Sequence, residues 1–166
     1  MSDLGAVEAF FKTVGPIDYL VCTAAFLPTG IGVTDENLRR AFDVKLFGYR
    51  AAARAARERM GDDGAVVSVT GEASVAPVPE YFAAGVVNAA VESLVRYLAL
   101  AYDPVRVSAV SPSLVDTFWM DPEAAADLPA GRVAEPEDVA DAVAFALTNP
   151  SATGETFRVN GGAGLA

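Results

Sequence analysis

With 166 residues, 52% of them apolar and 20% charged, the chain has the size of one globular domain, long enough to bury about 70% of its unfolded surface. A net charge of −10 argues against nucleic acid as a partner, since binding there depends on Lys and Arg neutralising phosphates. No histidine is present and Cys22 is the single cysteine, so the usual zinc ligand sets and any internal disulfide are excluded, and proton chemistry falls to Tyr, Lys, Asp, Glu or Cys.

No apolar run approaches the roughly eighteen residues of a membrane span and no basic, apolar leader opens the chain, which predicts a cytoplasmic protein without a membrane partner. In chain order, Val7, Phe10, Phe11 and Val14 recur at helical spacing up to a stop at Gly15-Pro16. "IDYLVCTAA" reads as a short apolar strand. Thr34 can cap a helix from about Asp35 to Met60, with Asp35 and Glu36 favourable in its first turn. "GAVVSVTG" is a second buried strand, followed by a loop with Pro77 and Pro79 and a helix from about Phe82 to Tyr102. "VRVSAV" is a third strand, Pro136 opens a helix through Ala146, and "ETFRVN" is the last strand.

Strands separated by helices predict parallel units with right-handed crossovers. Their continuous apolar character suits a sheet covered on both faces. The expected class is α/β: a Rossmann-like open parallel sheet of about four strands, in one domain over 1–166. The 82–102 helix is apolar on more than one side, with Val86, Val87, Val91, Leu94, Val95 and Leu98 spread around it. A homodimer through the 35–60 and 82–102 helices is one expectation; burial under the chain's own loops is the other.

Six segments, "VGPIDYLVCTAA", "AFDVKLFGYRAA", "GAVVSVTG", "AAVESLVRYLALAYDPVRVSAVSPSLVDT", "GRVAEPEDVADAVAFAL" and "TGETFRVNGG", resemble in order and spacing the short-chain dehydrogenase/reductase family. The resemblance covers essentially the whole chain. The family opens with a strand, a Gly-rich turn and a helix N-terminus that holds the cofactor pyrophosphate. This sequence has no counterpart and begins about where the family's third strand ends, which implies a truncated sheet lacking the first βαβ unit. The strand "IDYLVCTA" would then be an uncovered edge, to be met by the N-terminal segment, a second copy or another chain carrying the missing half.

The family's working residues are a Ser, a Tyr and a Lys four positions after the Tyr. Aligned on "AAVESL", Ala84 takes the tyrosine position and Asn88 the lysine position, while Thr70 falls near the serine. The family's helix asparagine becomes Lys45, and Thr117 keeps the place that contacts the nicotinamide carboxamide. Enoyl reductases of the superfamily place their Tyr seven residues before the Lys, a spacing that Tyr81 and Asn88 reproduce with Gly85 between them. Tyr81 would then donate to a carbonyl, with Lys45 supplying the charge that Asn88 lacks.

The candidate catalytic residues are accordingly Tyr81, Thr70 and Lys45. Asn88 and Thr117 would contact NAD or NADP if a dinucleotide binds, and no cofactor is expected otherwise. Thr29, Gly30, Phe118, Trp119 and Met120 flank the cleft in which the resemblance places a small apolar carbonyl ligand. Cys22 reads as a structural thiol. Asp62-Asp63 and Asp121, Glu123 and Asp127 read as solvated turns and helix starts.

Three functions are consistent with these residues. The preferred one is a degenerate family member that does not transfer hydride alone and acts as a binding or partner protein. The others are an NAD(P)-dependent oxidoreductase whose cofactor half lies elsewhere, and a nucleotide-free cyclase or dehydratase acting on a carbonyl compound through Tyr81, Thr70 or Lys45.

Overall fold

The structure, a computed structural model, describes residues 2–117 and 128–165. Helix α1 (Leu4–Thr13) starts where the Asp3 carboxylate accepts from the Ala6 N–H at 2.9 Å. Strand β1 (Tyr19–Cys22) follows, then helix α2 (Asp35–Phe42), capped by Thr34 through the Asn37 N–H at 3.3 Å. The predicted 35–60 helix is continuous in direction but not in pitch. A π turn over Asp43–Phe47 separates α2 from α3 (Gly48–Arg57). Such a turn inserts an extra residue and is a frequent mark of a functional site; here it carries Lys45 into the interior.

Strand β2 (Ala65–Val69), helix α4 (Phe82–Ala101), strand β3 (Arg106–Pro112), helix α5 (Pro136–Thr148) and strand β4 (Thr156–Val159) complete the order. α5 begins in a capping box, Glu135 and Asp138 exchanging side-chain and backbone bonds around Pro136. The four strands are parallel in the order β1-β2-β3-β4, registered Val21 to Val67 and Val67 to Ser108.

One face of the sheet carries α3 and α4, which bury Val66, Val107 and Ala109 against Tyr49, Val91 and Val95; α1 packs outside α3. The other face carries α5, over Val67 and Val110. All three steps between neighbouring strands run the same way across the sheet. The crossover through α5 lies on the opposite face from the first two, so its hand is opposite to theirs. The expectation of uniformly right-handed crossovers is therefore corrected.

α4 and the turn before it, Pro79–Ala101, form one helix long and apolar enough on composition to cross a membrane, which amends the expectation of no such stretch. In the fold it is a core helix: Val87, Val91 and Val95 are buried beneath it, while Tyr97 and Leu100 stay on the outside. β1 is the outermost strand and pairs only with β2 among the described residues. The N-terminal segment does not pair with it. It forms α1 instead, held to α3 by an ion pair between Glu8 and Arg54, and leaves an apolar groove of about 420 Å³ between α1 and β1.

Candidate functional site

In a parallel sheet the strand carboxyl ends converge on one rim, and the loops leaving them carry the polar groups of a site. Thr70 leaves β2, Ser111 lies near the end of β3, Arg158 stands in β4 and Asn160 follows it. α4 adds Asn88 and Glu92, which share a face because they lie four residues apart. The tight turn at Glu72–Ser74 is pressed against α4 at Gly85, where a Cβ would come within 2.7 Å of the Ala73 carbonyl oxygen. Only glycine permits that approach.

Glu92 is the centre of the resulting cluster. Its Oε1 accepts from Ser74 Oγ at 2.6 Å and Thr70 Oγ1 at 3.2 Å, and its Oε2 from Arg158 Nη2 at 3.1 Å. Arg158 also donates to Ser111 Oγ at 3.2 Å and lies 3.6 Å from Glu72 Oε2. The other Glu72 oxygen accepts from Asn160 Nδ2 at 3.0 Å. Two buried carboxylates thus share one guanidinium, an arrangement whose Coulomb gain offsets desolvation only while every partner is present.

Lys45, 2% exposed, is the second cation nearby. Burial lowers its pKa from 10.5 to about 8, against the opposing attraction of Glu92. Asn88 is equally buried at 2%. Its Nδ2 lies 2.9 Å from where a Cβ on Gly71 would stand, and its Oδ1 has no hydrogen-bond partner.

Beside the cluster opens an apolar cleft of about 440 Å³, whose walls include Ile31, Ser74, Val78, Tyr81, Phe82 and Val86. Ile31 is brought there by the loop after β1. That loop is pinned where the Gly30 N–H donates to the Glu80 carbonyl at 2.7 Å, with Gly30 at a φ of +87° that favours glycine. Ser74 belongs to both cleft and cluster.

The predicted residues are therefore divided between two places. Tyr81, 46% exposed at the start of α4, lines the cleft. Thr70 is buried in the cluster and is not among the residues lining the cleft. The charge on Lys45 is directed to Glu92 and not to Tyr81. Asn88 faces inward, which excludes the placement of this residue on a dimer or solvent surface. Thr117 is exposed. Phe118, Trp119, Met120, Asp121, Glu123 and Asp127 lie outside the described residues.

Cys22 behaves as a structural thiol, its pKa pushed up to about 12 by burial. No group of potential metal ligands occurs among the described residues. Sequence reading missed Glu72, Ser74, Glu92 and Arg158. The available signals were a lone Glu on the face of Asn88 within a largely apolar helix, and an Arg in the middle of "TFRV".

Residues 4–164 match a family model described as enoyl-(acyl carrier protein) reductase. The L-xylulose reductase of Mesocricetus auratus is 33% identical over 98% of this chain and 74% of its own length, and that of Homo sapiens is 34% identical with the same coverage. The D-erythrulose reductase of Gallus gallus is 31% identical, over 98% of this chain and 73% of its own. Among solved structures, a small-chain dehydrogenase in complex with NADPH superposes with a TM-score of 0.93 at 32% identity, covering 99% of this chain and 82% of the other. A family match along nearly the whole chain, relatives above 30% identity and a superposition of that quality agree: the chain belongs to the short-chain dehydrogenase/reductase family.

Proposed function

We propose that this chain is a family member that does not transfer hydride on its own and uses the cleft beside Tyr81 to bind a small, largely apolar ligand. The observation that carries the reading is Asn88. At the position the family resemblance assigns to lysine stands a neutral amide, buried and packed on Gly71, with Ala84 where the tyrosine would be. A neutral amide has no charge with which to lower a phenol pKa.

The residues at these positions do not fit the nicotinamide cofactor of the family. Asn88 is closed off from any ribose hydroxyl, and Thr117 is the one implied contact that remains exposed. The cleft supports the binding half of the reading: mostly apolar walls with a few polar residues, here Tyr81 and Ser74, are the usual construction of a small-molecule site.

Calorimetric titration of the purified chain with NADPH and NADH, followed by an assay for NADPH oxidation with L-xylulose, tests the proposal. No saturable binding and no turnover are expected. Turnover abolished by Tyr81→Phe would overturn it.

A second reading, oxidoreductase chemistry with the dinucleotide half supplied by another chain, is favoured by the outer edge of β1, which pairs with no other strand among the described residues, and by the apolar groove beside it. It would be supported by NADPH binding that appears only when a second polypeptide co-purifies. A homodimer through the 35–60 and 82–102 helices is part of the proposal, supported by Tyr97 and Leu100, 71% and 82% exposed on the outer side of α4.

A further inference from the structure

We propose that the cleft selects ligands that present a hydrogen-bond donor, a hydroxyl or an amide N–H, over ligands that present only a carbonyl oxygen, and that Ser74 reads the difference. The inference rests on the cleft-binding reading above and narrows it. A hydroxyl has one proton to give and two lone pairs to offer. The Ser74 proton is already directed to Glu92 Oε1 at 2.6 Å, within the range of short bonds to a charged acceptor.

Glu92 is held in place for this by Arg158 at 3.1 Å, and as a carboxylate it can only accept. Ser74, a residue of the cleft wall, therefore has only acceptor capacity left for a ligand. The Thr70 hydroxyl offers no substitute donor, since its proton lies between Glu92 Oε1 at 3.2 Å and the Val110 carbonyl at 3.4 Å. Tyr81 can donate or accept and so does not discriminate. Glu92 is thus a positioning residue that fixes the polarity of Ser74, and a bare carbonyl would leave the Ser74 lone pairs facing another acceptor, with neither satisfied.

The test is competitive binding of a pair matched in size, cyclohexanol and cyclohexanone, followed by calorimetry or ligand-observed NMR on the whole chain. The alcohol is expected to bind about tenfold tighter. Ser74→Ala, at a partly exposed position, should keep the fold by circular dichroism and equalise the two. Glu92→Gln can place an amide donor opposite Ser74, free the serine proton and move the preference toward the ketone, a reversal that loss of structure would not produce. Should Glu92→Gln not fold, Ser74→Ala decides alone. Equal or tighter binding of the ketone by the wild type, or a preference that survives Ser74→Ala, overturns the inference and leaves the cleft reading standing. Failure of both compounds to bind overturns the cleft reading and the inference with it.

Discussion

The two faces of the sheet are built from similar valines and do different work. Beneath α3 and α4 a broad core surrounds Tyr49, Val66, Val91, Val95 and Val107, and at its rim lie the buried charges Lys45, Glu72 and Glu92, with the partly exposed Arg158 between the two carboxylates. Beneath α5 the buried set is small, Val67, Val110 and Ala146, with no buried charge among the described residues. α5 lies over β2, β3 and β4, and leaves Tyr19 and Val21 of β1 exposed on that side. The comparison teaches that the face with apolar burial to spare is the one that can carry charges, because each buried ion costs several kcal/mol that packing must offset. The thin face has no such surplus.

The largest test of this contrast compares one aromatic deletion on each face. Tyr49 is fully buried, its hydroxyl reaching the Val69 carbonyl at 3.4 Å. Tyr49→Ala should cost about 3–5 kcal/mol in denaturant unfolding. Phe145 on α5 is half exposed and meets Phe157 edge-on at 5.3 Å, so Phe145→Ala should cost only about 1 kcal/mol. Equal losses would mean that the α5 face is as well packed as its partner.

Next in size is the removal of the guanidinium between the two carboxylates. Arg158→Met leaves Glu72 and Glu92 buried without their shared cation. Breaking one side of a fully buried ion pair costs about 3–5 kcal/mol, and the 30% exposure of the Arg158 side chain argues for less, about 2 kcal/mol. Acid should partly rescue this variant by protonating a carboxylate. Thermal unfolding from neutral to mildly acidic pH would then show a smaller deficit at the lower pH, and an unchanged deficit would remove the carboxylates from the explanation.

Lys45 sharpens the contrast from the other direction. Its pKa in the folded state, about 8, lies below the 10.5 of the unfolded chain. Above about pH 8 the folded form therefore binds fewer protons than the unfolded form, and this residue's contribution rises with pH. Below pH 8 the cost is fully present, on the order of 3 kcal/mol, and it fades as pH climbs toward 10. Lys45→Met should raise the unfolding midpoint at neutral pH, and its advantage over the wild type should shrink from pH 8 to 10. Comparing the two proteins at each pH isolates Lys45, because Cys22 acts in the opposite sense above about pH 9 in both. An advantage that does not change with pH would show that Lys45 is uncharged or solvated in the fold.

How much of this was legible in the sequence follows from what periodicity records. The α/β class, the parallel sheet of about four strands and the ends of most elements were readable, because apolar runs, caps and Gly-Pro stops are local signals. The π turn was not, since an extra residue within a continuous helix leaves the apolar spacing almost unchanged. Nor was the hand of the last crossover, which depends on where a long connection passes. At the cleft, the sequence offered Tyr81 through its enoyl-reductase spacing, and Tyr81 is one of the lining residues. The cluster was not legible, because Glu72, Glu92 and Arg158 lie far apart in sequence and each reads alone as a solvated charge. Lys45 holds the place of the family's helix asparagine, and the fold gives its charge Glu92 as a neighbour.

The smallest predicted effect concerns the flank that α5 leaves bare. Val21 shares its face with Val67, but it has no helix over it and is partly exposed. If that flank is solvated in the isolated chain, Val21→Lys should change stability by no more than about 0.5 kcal/mol, the usual range for a surface substitution. The same change would put a charge on the rim of an edge strand, the device by which native sheets prevent strand addition. The variant should thus behave as the wild type in unfolding and differ only in association, eluting later from a sizing column if a copy or another chain docks at β1. Leu100→Asp, on the exposed side of α4, provides the contrast. It should dissociate a dimer formed through the helices while leaving any association at β1 intact. If Val21→Lys destabilises the chain by as much as a core deletion, β1 is covered in solution, and the thin face is thin only in the isolated chain.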